Sequence, residues 1–392
     1  MSYDADVIVV GGGPTGLCTG ALLAKRGKKV IVFEKSNIVG GRAAGGFTYK
    51  GQFLDITPHM PSRAGYMEDL FKEVGKPYPD VFYEWKGAEF YRDGKWVYLM
   101  DLIDLKKLRK MIEEIVNTSY EDLAKLDTFP LKEWVAQRCD EEGMHIFWWS
   151  QAVGAFAGTK YEDFGTGDLM IFLKEHFERL GGWGGLWGSV KGGGYSQYWK
   201  AIREAIVENG GQVITGTPVD EIVIENGQAV GVEIPVGERV TPLQLLETKI
   251  VRAPQVVCAL PIWDIFKVIA ESKLPRWYVE QINGIKHRFG ASVPIVCGVD
   301  KELEGWPEDW GKWVWPEYTK SGWSIWANYL PGYEGNTGQH QVVFWFMANW
   351  YDFPNIFEMD RAETRHQLKA LIATFEADIK KLFPDLEKHL LW

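Results

Sequence analysis

The order of residues from Val7 to Glu34 constrains this chain more than anything else in it. Val7-Ile8-Val9-Val10 is an unbroken apolar run, the pattern of a strand buried on both faces. Gly11-x-Gly13-x-x-Gly16 follows at once, Leu17 to Lys25 reads as a helix closed by Gly27, and a second strand, Val30-Ile31-Val32-Phe33, ends in Glu34. The glycines serve different physical ends. Gly11 permits a tight turn, Gly13 lets the backbone approach a pyrophosphate, and Gly16 lets helix and strand pack closely. The phosphate then rests on the helix N-terminus, where free N–H groups and the dipole favour an anion. Glu34, 18 positions beyond Gly16, is placed to accept hydrogen bonds from ribose hydroxyls.

The same stretch has a superficial second reading. Val7 to Ala24 carries no charge over 18 positions, as a signal peptide or a membrane span does. Five glycines and a proline interrupt it, and acidic Asp4 and Asp6 precede it where a signal peptide is basic. A strand–turn–helix accounts for it better, and no other uncharged run approaches spanning length. The expected location is cytoplasmic.

Composition narrows the partners. At 392 residues the chain suits two interleaved domains. A net charge of −10 argues against a nucleic-acid partner, which requires a basic face. Cys18, Cys139, Cys258 and Cys297 lack C-x-x-C spacing and read as small hydrophobes in a reducing compartment. The seven histidines show no ligand spacing, so no metal is expected.

Directly after the acid comes Ser36-Asn37-Ile38-Val39-Gly40-Gly41-Arg42. This resembles the G-G-R segment of the FAD-dependent amine oxidase and phytoene desaturase superfamily, in which the arginine and nearby backbone hold the FAD pyrophosphate. Further on, Gly192-Gly193-Gly194 leads into a helix with apolar Trp199, Ile202, Ala205 and Ile206, stopped by Gly210-Gly211. Val213-Ile214, a strand Val219 to Ile224, an Asn226-Gly227 turn, a strand Ala229 to Ile234 and a buried returning strand Val256 to Pro261 follow. That order is similar to the second FAD-contacting section of the same superfamily, and the resemblance implies that the Val219 backbone meets the adenine. The implied cofactor is FAD, held by Gly11, Gly13, Pro14, Thr15, Gly16, Glu34, Lys35, Gly40, Gly41, Arg42, Val219 and Ala259.

Lys50 to His59 points to one branch, the phytoene dehydrogenase-like carotenoid desaturases and isomerases. In them an aspartate, two residues and a proline lie beside the isoalloxazine, matching Asp55 to Pro58, but glycine is usual where this chain has Thr57. His59 and Asp55 are the candidate acid–base residues, with Lys191 a weaker one. The resemblance implies an α/β fold: a Rossmann-like FAD-binding domain of glutathione reductase type, from residues 1–60 and 181–262, interleaved with an α+β substrate domain with an antiparallel sheet, from residues 61–180 and 263–392. Phe383-Pro384 and Leu390-Leu391-Trp392 look like the region before the family's last FAD-contacting section, and with no such section before Trp392 the expectation is a truncated product.

Only one fingerprint is complete, since Gly182-Trp183-Gly184-Gly185 follows no strand and reads as a loop. No NADPH domain is visible, so electrons are expected to pass to oxygen, a quinone or a soluble carrier. Eight of the 19 tryptophans fall between Trp306 and Trp350, where Trp323 to Tyr329 and Val342 to Phe346 read as strands able to line a tunnel for a hydrophobic small molecule. Any single one of these aromatics is more simply read as core. Leu102, Leu105, Leu108, Ile112 and Ile115 form an apolar helix face beside Lys106, Lys107, Arg109 and Lys110, suited to packing or to peripheral membrane contact. Asp360 and Glu363 form a capping box on a late helix.

The leading expectation is a phytoene desaturase-like flavoenzyme moving hydride between a C–C bond and flavin N5, by desaturation, saturation or isomerisation. The alternatives are an amine oxidase-like enzyme and a non-catalytic prenyl- or lipid-binding protein of the GDP-dissociation-inhibitor type.

Overall fold

The structure is a computed structural model. It describes residues 2–49, 52–55, 65–79, 82–156, 161–183, 188–190, 195–237, 247–285, 290–301, 303, 306, 310–330, 340–349 and 361–392. Strand β1 (Val7–Val10), helix α1 (Pro14–Lys25) and strand β2 (Val30–Phe33) take the expected order, and every residue of both strands is buried. They sit at the centre of a four-stranded parallel sheet, between Gln255–Cys258 on the β1 side and Gln212–Ile214 on the β2 side.

Alternation along β1 assigns the two faces. Val7 and Val9 pack under α1 and the helices Tyr66–Val74 and Ser196–Glu208. Ile8 and Val10 meet a three-stranded antiparallel sheet, Glu221–Glu225, Gln228–Val236 and Glu247–Arg252. Helices, parallel sheet and antiparallel sheet thus form three layers. Trp199, Ile202, Ala205 and Ile206 are all buried on the inner face of their helix, as their spacing predicts.

Three boundaries differ from expectation for local reasons. Helix α1 starts at Pro14, not Leu17, because a proline at the first position lacks only an N–H that the helix cannot use there. The hairpin begins at Glu221, leaving Val219 outside the strand, and turns at Asn226 and Gly227 with φ of 52° and 77°, the left-handed pair that matches strand twist. The returning strand Gln255–Cys258 does pair with β1, but as the sheet's edge it is only part-buried.

The tryptophan-rich segments build a six-stranded sheet in the order Gly290–Val299, His340–Asn349, Ser324–Leu330, Trp310–Val314, Gly87–Arg92, Lys95–Tyr98. It is antiparallel except where Trp310–Val314 runs parallel to Gly87–Arg92, two strands from distant parts of the chain. Trp313, Trp326 and Trp345 point to one face, under the helices Leu105–Asn117, Glu142–Phe156 and Thr166–Leu180. Val314, Ile325, Phe344 and Phe346 point to the other, where Phe375 and Ile379 of the helix Arg361–Leu382 cover them. Asp360 of the expected capping box lies outside the described residues. In helix Leu105–Asn117, capped by the Asp104 carboxylate, Leu108, Ile112 and Ile115 pack into the core while Leu105 is 57% exposed. Most of that apolar stripe is therefore taken up by the protein itself.

One charge pair within the six-stranded sheet has its lysine buried and its acid part-buried. Lys312 is 4% exposed, stands directly across from Glu89 in the parallel register, and pairs with its carboxylate. Its ammonium lies 4.5 Å from the Trp96 ring centroid and 5.5 Å from that of Trp306. Burial lowers the lysine pKa, and the bond to Glu89 opposes that shift. Lys312→Met leaves the part-buried Glu89 carboxylate without its partner, so a loss of roughly 1–3 kcal/mol in urea unfolding is expected. Lys312→Met combined with Glu89→Leu should recover most of it, because both charges leave together.

Candidate functional site

The candidate site is built where β1 and β2 end. Gly11 has φ of +104°, its N–H donates to Phe33 O at 2.8 Å, and the Ala259 N–H donates to Val10 O at 2.9 Å, so three chain segments close on the turn. At Gly16 a Cβ would stand 1.9 Å from Gly11 O, which no side chain survives without backbone movement. At Gly13 the nearest atom to a Cβ is 3.9 Å away, on Gly41. One glycine therefore serves internal packing, while the other leaves room for an approaching ligand. No side chain caps the start of α1 and no acid lies in its first turn, so its amides and dipole are available to an anion.

Glu34 is 7% exposed and holds two backbone donors: Gly12 N–H to Oε2 at 2.7 Å and Ser36 N–H to Oε1 at 2.8 Å. A carboxylate has about four lone-pair sites, which leaves capacity for two ribose hydroxyls. The Glu34 backbone also bonds to Ile214 and Thr217, pinning the end of β2. Gly40 N–H donates to Gly12 O at 2.8 Å, bringing the Gly40-Gly41-Arg42 turn against the start of α1. The Arg42 guanidinium is exposed, 5.8 Å over the Trp263 ring. Beside Glu34 is a cleft of about 170 Å³, to which Gly11, Lys35, Pro218, Val219, Leu260 and Val268 contribute.

Gly11, Glu34, Lys35 and Val219 thus share one cleft, with Gly13, Pro14, Thr15, Gly16, Gly40, Gly41 and Arg42 at the helix start next to it. Asp55 ends a strand, Gln52–Asp55, paired with Gly46–Tyr49, and only its backbone is described. His59 and Lys191 lie outside the described residues. Sequence reasoning passed over Gly12, read as a free position, although its N–H feeds Glu34 and a Cβ there would stand 2.8 Å from the Glu34 Cβ. It also passed over Trp199 as more than core: the indole N–H donates to Ala43 O and the ring fills the space over Gly40. An unbroken Gly11-Gly12-Gly13 was the signal for the first; nothing local marks the second.

A second compartment lies on the tryptophan face of the six-stranded sheet. It encloses about 280 Å³ between the strands and the helix Glu142–Phe156, with Trp85, Phe147, Trp183, Trp313 and Trp326 in its walls. The rings support one another: Trp313 and Trp326 centroids are 4.5 Å apart, Trp85 and Trp326 4.9 Å, Phe147 and Trp183 5.6 Å. Among the described residues of the lining the one charged side chain is the exposed Lys86.

An uncapped helix start, an open Gly13 and an acid at the end of β2 together fit the ADP half of FAD. The profile of the family described as flavin containing amine oxidoreductase matches residues 14–385, and the chain belongs to that family. A 4,4'-diapophytoene desaturase (4,4'-diaponeurosporene-forming) of Staphylococcus aureus is 32% identical over 116 residues, 28% of this chain and 22% of that protein. The chain therefore matches about a fifth of that curated relative's length. In three dimensions an oxidoreductase from Methanosarcina mazei aligns with TM-score 0.69 and 21% identity, over 96% of this chain and 84% of that one. Cyclohexylamine oxidase from Brevibacterium oxydans aligns with TM-score 0.63 and 16% identity, over 99% and 83%. These two likenesses bear on the fold, which agrees with the expected Rossmann-like domain joined to an α+β unit.

Gly12→Ala is expected to weaken FAD binding tenfold or more, about 1.4 kcal/mol, by displacing the Glu34 carboxylate. Gly27→Ala, a left-handed position whose Cβ meets nothing within 4 Å, strains the chain but should leave FAD affinity unchanged. Flavin-to-protein absorbance ratios and FAD titration of the apoprotein measure both.

Proposed function

We propose that the protein is an FAD-dependent oxidoreductase acting on a carbon–carbon bond of a hydrophobic substrate, as desaturase, saturase or isomerase, with the aromatic cavity as its substrate compartment. The observation that carries this reading is the lining of that cavity. Aromatic rings form much of its wall, a surface that recognises apolar ligands. A protonated amine would find no carboxylate among the described lining residues and would meet Lys86 as a like charge. Partial similarity to the diapophytoene desaturase supports the same choice over an amine oxidase.

FAD, when bound, supplies a hydride acceptor or donor at flavin N5. The chain contributes the rest. The start of α1 and the Gly40-Gly41-Arg42 turn hold the pyrophosphate, and Glu34 fixes the ribose. Asp55, in the segment that resembles the flavin-side region of the desaturases, holds or moves the accompanying proton together with His59. The electron acceptor belongs to the same proposal: oxygen, a quinone or a soluble carrier. No helix among the described residues is long and apolar enough to cross a membrane.

The test is anaerobic. Under this reading a hydrophobic substrate with a saturated carbon–carbon bond gives up hydride and bleaches the oxidised flavin absorbance, or its polyene or enone partner accepts hydride and reoxidises reduced flavin, whereas primary amines leave both spectra unchanged. Flavin bleaching by amines, with peroxide released once oxygen is admitted, and no response to any apolar substrate would replace this proposal with the amine oxidase alternative. A preparation that takes up no FAD would leave the non-catalytic lipid-binding reading.

A further inference from the structure

Among the described residues of the helix Glu142–Phe156, Met144, Ile146, Trp148, Trp149, Ala152 and Val153 are buried around its circumference. In its middle lie two polar residues, Ser150 and Gln151, at 2% and 9% exposure, and both face the aromatic cavity. The Ser150 hydroxyl donates to Phe147 O at 2.7 Å, and the Gln151 amide donates to that hydroxyl at 3.3 Å. Gln151 brings an amide, with donors and an acceptor, to a lining that is otherwise mainly apolar. The backbone seats this helix closely: at Gly143 a Cβ would stand 1.6 Å from Leu102 O, so the polar pair is carried on an element with little freedom to shift.

Size restricts the occupant. A cavity of about 280 Å³ is at the low end of the range for small-molecule sites, roughly 300–1,000 Å³. It holds a ring system or a chain end, not an extended polyene in full.

We propose that this cavity receives a compact, ring-bearing apolar molecule, or the ring end of a longer one, that carries one oxygen function, and that Gln151 is the specificity-determining residue that reads this oxygen. An amide can donate to a carbonyl or ether and accept from a hydroxyl, so the class is oxygen-bearing and not restricted to one oxidation level. This rests on the reading of the cavity as the substrate compartment. It adds that the ligand is oriented by a polar anchor in addition to fit, and a fixed orientation is what selects one carbon–carbon bond among several.

A matched pair of probes, 2-naphthol and naphthalene, isolates the oxygen at almost constant ring volume. Binding is measured by equilibrium dialysis against the FAD-loaded protein, the Gln151→Leu variant and the cavity-filling Ala88→Phe variant, each checked for an unchanged thermal melt. The expected result is that 2-naphthol binds wild type more tightly than naphthalene by a factor of about 3–10, as one net hydrogen bond supplies. Gln151→Leu should erase that preference without weakening naphthalene, and Ala88→Phe should abolish binding of both. Equal binding of the two probes to wild type, lost in Ala88→Phe, would overturn the polar anchor while leaving the hydrophobic compartment intact. Failure of both probes to bind, or binding indifferent to Ala88→Phe, would overturn the compartment and the anchor together.

Discussion

The Glu34 carboxylate is the interaction on which the nucleotide half of the molecule depends. Its two oxygens hold the Gly12 and Ser36 amides, one in the loop after β1 and the other in the loop after β2. Parallel strands end their loops on the same edge of the sheet, and those loops carry unpaired backbone donors that must be satisfied. A single buried acid satisfies two of them and remains able to accept from a sugar. The proposed cofactor site and the stability of that sheet edge therefore share these bonds, and a change at Gly12 is expected to reach a bound ligand by way of Glu34.

Legibility followed sequence separation. β1, α1, β2, the Asn226-Gly227 hairpin and the buried face of Ser196–Glu208 were all readable, because each is specified within about one strand or one helix length by apolar period and turn chemistry. The wall of the nucleotide cleft was less so. Pro218, Leu260 and Val268 meet Gly11 and Glu34 only after the chain has made an excursion of some two hundred residues, and no local pattern records that encounter. Gly12 was lost for another reason: the fingerprint reads it as variable, whereas here its hydrogen atom, not its side chain, carries the function.

The tryptophan-rich half shows the same limit from the other side. Its strands were recognisable from alternation, but the parallel pairing of Trp310–Val314 with Gly87–Arg92 joins segments that composition alone cannot register. That pairing brings Lys312 opposite Glu89 and turns Trp313 to the reverse face. A one-residue slip would exchange them, burying the lysine among the tryptophans and sending Trp313 to the Phe344 side. The charge pair and the aromatic cavity thus enforce one register from opposite faces of the sheet.

Two consequences follow for recognition. Part of the cavity wall comes from the paired strands that carry Trp313 and Trp326 and from the helix that carries Phe147, elements that hold their side chains more firmly than the loop segments of Trp85 and Trp183 do. Gly311 contributes by having no side chain: a Cβ there would stand 1.5 Å from the Trp326 ring, so the indole occupies the space over the neighbouring strand. A compartment shaped in this way discriminates by volume and contour before any chemistry occurs, since most of the ordering cost is met during folding and little is left for the ligand to supply. Such a site suits an apolar ligand well, because shape is the main property by which apolar molecules differ, and a single amide within it is sufficient to tell one end of the ligand from the other.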